Sequence, residues 1–271
     1  MKRIAYLEPV RGLNVYGREL LPHLAQHYDI DIFTDGRRDA LVSDVARAFP
    51  VHRFDDFHGE NTYAHLVFQL RNNRVHGSVY DLLLAHGGVS VFHDVNISGI
   101  IGGQTLMRGR RWAFLNEVRR NEGLSAFISS SLNVLLRKRW PDPTQYMMNR
   151  VACRHSRGII VHNRQARQAL ARVAPQVPIS VVQRGVPEVN RADPVAARRR
   201  IGLPLDAFLI VSLGVVAEKK RVPQALAAFA RLRERVPGAR YVLVGKPVSS
   251  FDAQTLIERM GLKEHARGTG W

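Results

Sequence analysis

His93 and Asp94 stand directly after a short apolar run, residues 89–92, that follows Gly87-Gly88. A short apolar run bounded by turn residues reads as a buried strand. In parallel α/β sheets, ligands bind beyond the carboxyl ends of strands. An imidazole and a carboxylate at such an end can orient a polar ligand, although a lone histidine is also a common structural residue. Gly12 lies between an apolar run and a helix-like stretch. It either lets the backbone approach a phosphate or makes a plain turn. Lys220 and Arg221, preceded by Lys219, stand ahead of another helix-like stretch. They are cations able to neutralise phosphate oxygens, or a solvated helix start.

Other patterns carry less. Asp29-Ile30-Asp31 has the form of a metal-binding pair but begins a strand instead of ending one. His23 and His27 share a helix-like stretch, but Leu24 and Ala25 between them supply no carboxylate. The chain contains no Gly-x-Ser-x-Gly and no Gly-x-Gly-x-x-Gly, so neither an esterase elbow nor a dinucleotide cofactor is expected. No metal and no cofactor are expected.

The elements that must position these residues alternate. Residues 4–7, 29–33, 65–70, 89–92, 158–162 and 179–182 read as strands. Residues 12–16 read as a loop, and 17–28 as a helix with Leu20, Leu21, Leu24 and Tyr28 on one face. Residues 164–174 read as a second helix. Short connections between strand and helix imply a parallel sheet covered by helices. The loops after Leu7, Leu70, Phe92 and Val182 are then the places for chemistry. A stretch rich in turn residues follows, and Asp193-Pro194 reads as a helix start with Asp as cap. Beyond it, 208–213 reads as a buried strand, 221–236 as a helix, 241–244 as a strand and 252–260 as a helix. The final residues, 267–271, show no closing element. The expected division is an N-terminal Rossmann-like domain over 1–186, a linker over 187–193 and a partial C-terminal domain over 194–271.

Composition narrows the class. Forty Lys and Arg face 23 Asp and Glu, for a net charge of +17. Such a surface attracts polyanions, or it reflects an arginine-rich background. No nucleic-acid reading module is recognisable, so nucleic acid is not the expected partner. Cys153 is the single cysteine, which rules out a disulfide within the chain and fits a reducing compartment. The N-terminal apolar stretch is too short for a signal peptide. Between residues 104 and 140, eight Lys or Arg stand against two Glu. Trp112, Phe114 and Leu115 interleave there with Arg108, Arg110 and Arg111. This suits either a face lying on anionic lipid or a solvated basic helix. A cytoplasmic protein able to touch the inner membrane face is expected.

Several segments in order resemble family 4 of the retaining glycosyltransferases. Residues 208–221 (FLIVSLGVVAEKKR), then 227–230 and 241–245 (YVLVG), are similar to that family's strand–glycine–lysine–helix–strand signature. Residues 12–24, 91–94, 157–163 and 181–186 resemble its first loop and helix, its histidine loop, its last first-domain strand and its crossover. The resemblance implies an α/β protein of GT-B type, with two Rossmann-like domains on parallel sheets and the second domain incomplete. It implies transfer of a hexose from a nucleotide-diphosphate sugar to a glycan or lipid-linked acceptor, with retention and without metal. Gly12, Gly214, Lys220, Arg221 and Gly245 would bind the donor. His93, with Asp94 orienting its loop, would face the sugar. Asn14, Tyr16, Asn73 and His76 would meet the acceptor. Val215 replaces a frequent arginine, and Arg71 a frequent glycine. The family's acidic donor motif would fall beyond Trp271. A nucleotide- or partner-binding module without turnover is the second expectation.

Overall fold

The computed structural model describes residues 1–36, 40–59, 62–137, 140–185 and 193–270. The chain divides into two compact units, Met1–Pro187 and Glu188–Trp271. Most of the expected linker, residues 187–192, lies outside the described residues, as do Val186 and Trp271.

In the first unit, seven described strands form one parallel sheet in the order β3-β2-β1-β4-β5-β6-β7. They are β1 (Lys2–Leu7), β2 (Tyr28–Thr34), β3 (Val51–Arg53), β4 (His65–Leu70), β5 (Gly88–Phe92), β6 (Ser156–Val161) and β7 (Ile179–Val181). Alternate residues of β1 serve two cores. Ala5 and Leu7 pack with Phe68, Phe92 and Val161, whereas Ile4 and Tyr6 pack with Leu13, Leu21 and Ile32. A strand buried on both faces reads as a continuous apolar run. The strand order reverses between β1 and β4, so their carboxyl ends flank the crevice where doubly wound sheets take ligands.

The segment after β1 is helical, not a loop. It runs through α1 (Val10–Gly12), a π turn (Leu13–Gly17) and α2 (Arg18–Leu24). Gly12 and Gly17 both hold ordinary right-handed helical angles, so neither breaks the helix. The helix stops at Leu24, earlier than expected. Tyr28 instead opens β2 and pairs with Lys2. Later come α3 (Ser43–Ala48), α4 (Gly77–His86), α5 (Ser98–Gln104), α6 (Arg111–Glu122), α7 (Leu124–Arg137), α8 (Arg150–His155) and α9 (Arg164–Val173). The Asn163 side chain caps α9 by accepting from the Ala166 N–H at 2.7 Å. Phe114 and Leu115 of α6 are buried, so they do not belong to any lipid-facing surface; Trp112 is exposed. Cys153 is buried, and burial pushes its thiol up to about 12, leaving it unreactive.

The second unit holds α10 (Pro194–Arg200), β8 (Leu209–Leu213), α11 (Val222–Arg233), β9 (Arg240–Val244), α12 (Ala253–Arg259) and β10 (Ala266–Gly268). Asp193 caps α10 through the Val195 and Ala196 N–H groups, with Pro194 at the first helical position. The three strands form a parallel sheet in the order β10-β9-β8. Two expectations fail here. The end of the chain does carry a strand, β10, whose three residues are too few to leave a periodic signal. The run 208–213 is only partly buried among the described residues: Phe208, Val211 and Leu213 are exposed, and no described strand pairs with the outer side of β8.

Gly214 and Gly245 end β8 and β9 with φ of 132° and 150°. The Gly214 carbonyl lies where a Cβ on Gly245 would stand. Both the backbone angle and the close approach therefore demand glycine at Gly245.

Candidate functional site

Five strands of the first sheet end in a polar or charged group at their carboxyl side. Glu8 follows β1, Arg71 follows β4, His93 follows β5, His162 follows β6, and Arg184 lies three residues past β7. Tyr16, in the π turn, sits among them. Such turns re-aim side chains and recur at functional sites. The Tyr16 ring meets His93 edge-on at 4.7 Å and His162 at 5.9 Å, and the two imidazoles are 4.9 Å apart. The guanidiniums of Arg71 and Arg184 lie over the Tyr16 ring at 5.4 and 5.3 Å.

Glu8 is the centre of the charge pattern. It is fully buried, accepts from the Tyr6 hydroxyl at 3.0 Å and pairs with Arg71 at 3.0 Å. Burial raises its pKa above the usual carboxylate range, against the opposing pull of Arg71. A Cβ on Gly12 would overlap this carboxylate, so Gly12 is the space that admits Glu8. Gly12→Ala is therefore expected to destabilise the first unit by about 2 kcal/mol, by overpacking around Glu8. Urea unfolding of Gly12→Ala, alone and combined with Glu8→Ala, checks this: the alanine at 12 should cost much less once Glu8 is gone. An equal cost in both backgrounds would sink the explanation.

His93 is half-buried. Its Nε2 lies 2.8 Å from Gln69 Oε1, which fixes the ring, and its backbone N–H donates to the Leu70 carbonyl at 3.0 Å. Burial first, then the charge of Arg71, lowers its pKa to about 2. The ring is neutral at any working pH. Asp94 accepts from the Asn72 N–H at 2.9 Å and Asn72 accepts from the Gly99 N–H at 2.6 Å, tying the loops after β4 and β5 together. His162 Nδ1–H donates to the Val182 carbonyl at 2.9 Å, which orients the ring with Nε2 turned the other way. Gln69 Nε2, Arg71 Nε and His162 Nε2 are buried with no hydrogen-bond partner among the described residues. Such atoms are costly unless water or a ligand meets them.

Beside this cluster opens a cleft of about 330 Å³, walled by Arg11, Gly12, Arg71, Asn73, His76 and Asp94 among others. Four residues expected at a site thus share one cleft, with Tyr16 and His93 across Arg71. His76 is buried, with Nδ1 at 2.8 Å from the Gln69 carbonyl, and burial lowers its pKa to about 4. Asn73 caps the turn Arg74–His76 through the Val75 N–H. Asn14 is not brought in. Its amide donates to the Ala40 carbonyl at 3.1 Å and accepts from the Val42 N–H at 2.9 Å, which pins that loop. Asp31 is likewise spent, on Arg3 and the Tyr63 hydroxyl.

In the second unit, Gly245 lines a separate cleft of about 200 Å³ with Val216, Pro247 and Phe251. Lys220 is exposed at the end of the turn Glu218–Lys220. Arg221 does not lie within the helix that follows. It caps α11 in the left-handed region, with φ of 62°, a conformation uncommon outside glycine.

Sequence reasoning missed Glu8, Gln69 and Arg184. Glu8 directly follows β1, Gln69 lies within the last two residues of β4, and Arg184 lies three residues past β7; their partners are distant in sequence, so residue type at these places gave no sufficient signal.

No protein-family model matches the chain, and no curated protein matches it significantly in sequence. Solved structures do share its fold. It is similar to sucrose-phosphate synthase from Thermosynechococcus elongatus, with TM-score 0.61 and 15% identity over 100% of this chain and 70% of that one. It is similar to HepE of Anabaena in complex with UDP and glucose, with TM-score 0.56 and 11% identity over 100% and 70%. It is also similar to WaaG, a glycosyltransferase involved in lipopolysaccharide biosynthesis, with TM-score 0.56 and 12% identity over 98% and 70%. The architecture is that of the GT-B type: two Rossmann-like units on parallel sheets.

Proposed function

We propose that this chain belongs to a retaining glycosyltransferase of the family 4 kind. It would move a hexose from a nucleotide-diphosphate sugar to a glycan or lipid-linked acceptor without a metal. One observation carries the reading: Glu8, Arg71, His93 and His162 gather around Tyr16 at the reversal point of the first sheet. The fold likeness supports it, and HepE holds UDP and glucose in its own complex.

The roles follow from chemistry. A leaving diphosphate gains negative charge, which fixed cations and backbone N–H groups stabilise. Lys220 and Arg221 supply the cations, and the left-handed backbone at Arg221 is the kind of strain that clusters at such sites. Gly214 and Gly245 keep the strand ends low beside them. The neutral His93 positions the sugar through its ring or carbonyl, with Asp94 holding its loop. Asn73 and His76 border the proposed acceptor cleft, and Tyr16 supports it from behind Arg71. Asn14 acts at a distance, through the loop at Ala40 and Val42. Orphaned polar atoms at Gln69, Arg71 and His162 suit a ligand rich in hydroxyls.

A panel of nucleotide-diphosphate hexoses tests this, with calorimetric binding and nucleotide release as separate readouts. Binding of one donor and release stimulated by a sugar acceptor are expected. Binding without any release would favour a nucleotide-binding module. Absence of binding to every donor would overturn both.

A further inference from the structure

We propose that α7 lays its outer face on an anionic lipid bilayer. This stands whether or not the chain transfers a sugar. For a helix on a water-exposed surface, α7 turns an unusual number of aliphatic side chains outward. Its inward positions are mixed: Ala126, Phe127, Ser130, Ser131 and Val134 are buried or half-buried. Ala126 packs on the main core, and Ser130 is buried with its hydroxyl bonded to the Ala126 carbonyl at 2.6 Å and to the Tyr146 hydroxyl at 2.7 Å. Its outward face carries an aliphatic row beside Ser125, Ser129 and Asn133. Leu124, Ile128, Leu132 and Leu135 follow helical spacing and are all exposed, Leu124 by 63% and Leu135 by 69%. Leu136 beside them is exposed by 79%. A contiguous aliphatic stripe on the outside of a folded unit calls for an apolar partner.

Length and charge decide what the partner is. Fourteen residues span about 21 Å, and no described helix is long and apolar enough to cross a membrane. A stripe of this length lies in the interface plane instead. At the end of α7, Trp140 meets Trp112 edge-on at 5.6 Å, and the Arg111 guanidinium lies over the Trp140 ring at 5.5 Å. Arg108, Arg110, Arg111, Arg119 and Arg120 are exposed on α6 and the turn before it, the element packed against α7. Tryptophan and arginine beside an exposed aliphatic stripe suit the headgroup layer of an anionic bilayer. A second copy of the chain would bring the same arginines together, which like charges oppose.

Co-sedimentation of the whole chain with phosphatidylcholine vesicles, with and without phosphatidylglycerol, tests the proposal at low salt. The comparison is Ile128→Asp/Leu132→Asp, whose sites are exposed and whose fold is checked by circular dichroism and thermal melting. The native chain is expected to partition onto phosphatidylglycerol vesicles, and the variant's partition is expected to drop by roughly tenfold or more. Weaker binding to pure phosphatidylcholine, and release by added salt, are also expected. Failure of the native chain to sediment overturns the proposal. So does equal sedimentation of a folded variant. A native dimer that the variant renders monomeric, with no vesicle binding, would assign the stripe to a second copy and overturn it as well.

Discussion

Arg71→Met is expected to lower the stability of the first unit by about 3 kcal/mol at neutral pH, and to lose most of that effect in acid. Glu8 is fully buried, and Arg71 is its cation. Without the guanidinium, the carboxylate keeps only the Tyr6 hydroxyl. Breaking a buried pair from one side costs far more than replacing both partners, because a charge is left without compensation. The pH dependence follows from Glu8, whose pKa is already raised in the fold by burial, with Arg71 the largest opposing influence. A raised folded pKa means stability that is full below the unfolded value and is lost as pH rises through the folded one. Arg71→Met raises that folded pKa further. The gap between native and variant should therefore be small where Glu8 is protonated in both. It should widen as pH climbs from the native Glu8 pKa to that of the variant. Urea midpoints from about pH 4 to about pH 8 measure it. Glu8→Gln in the Arg71→Met background should recover much of the loss. A deficit that is flat with pH, or no recovery by Glu8→Gln, would show that the pair does not hold this site together.

That pair also marks where the sequence could be read and where it could not. Strand ends were legible, because buried parallel strands are continuous apolar runs: four of the loops singled out after Leu7, Leu70, Phe92 and Val182 contribute to the cluster. Glu8 was not, because a carboxylate beside proline looks like the end of a strand and nothing more. Only the three-dimensional pairing with Arg71, which is 63 residues away, gives it a purpose. Gly12 shows the same limit from the other side. Its type was informative, but its reason lies in the Glu8 side chain and not in a left-handed turn. Asn14 had a plausible residue type and a plausible place, yet both ends of its amide are used by the loop at Ala40 and Val42. Helix polarity was the hardest to read. The basic stretch between residues 104 and 140 stood out, but its exposed aliphatic groups are on α7, whereas Phe114 and Leu115 turned inward. Periodicity reports which residues share a face, not which face meets the core.

On the proposed function, His93→Ala is expected to lower kcat for sugar transfer by about 100-fold or more while leaving nucleotide binding within a small factor. The split follows from where His93 stands. It is on the first unit, at the carboxyl end of β5, held by Gln69 and packed edge-on against Tyr16. The cations proposed for the nucleotide are on the second unit. With its pKa lowered to about 2 by burial and by Arg71, the ring cannot serve as a proton donor near neutrality. Its contribution must come from a fixed neutral dipole and from the shape that it gives the loop with Asp94. The native pH profile of kcat should therefore lack an inflection belonging to His93 across the neutral range. Stability offers a second readout. A depressed histidine pKa gives stability that is full above the ordinary value of 6.5 and is lost as pH falls below it, because the unfolded chain then takes up a proton that the fold refuses. His93→Gln removes that penalty, so its stability relative to the native protein should improve as pH falls from about 6.5. A variant that loses nucleotide affinity instead of turnover would move His93 from the sugar to the nucleotide. A native profile that titrates near neutrality and flattens in His93→Gln would mean that the ring takes a proton after all, and the neutral-dipole role would be wrong.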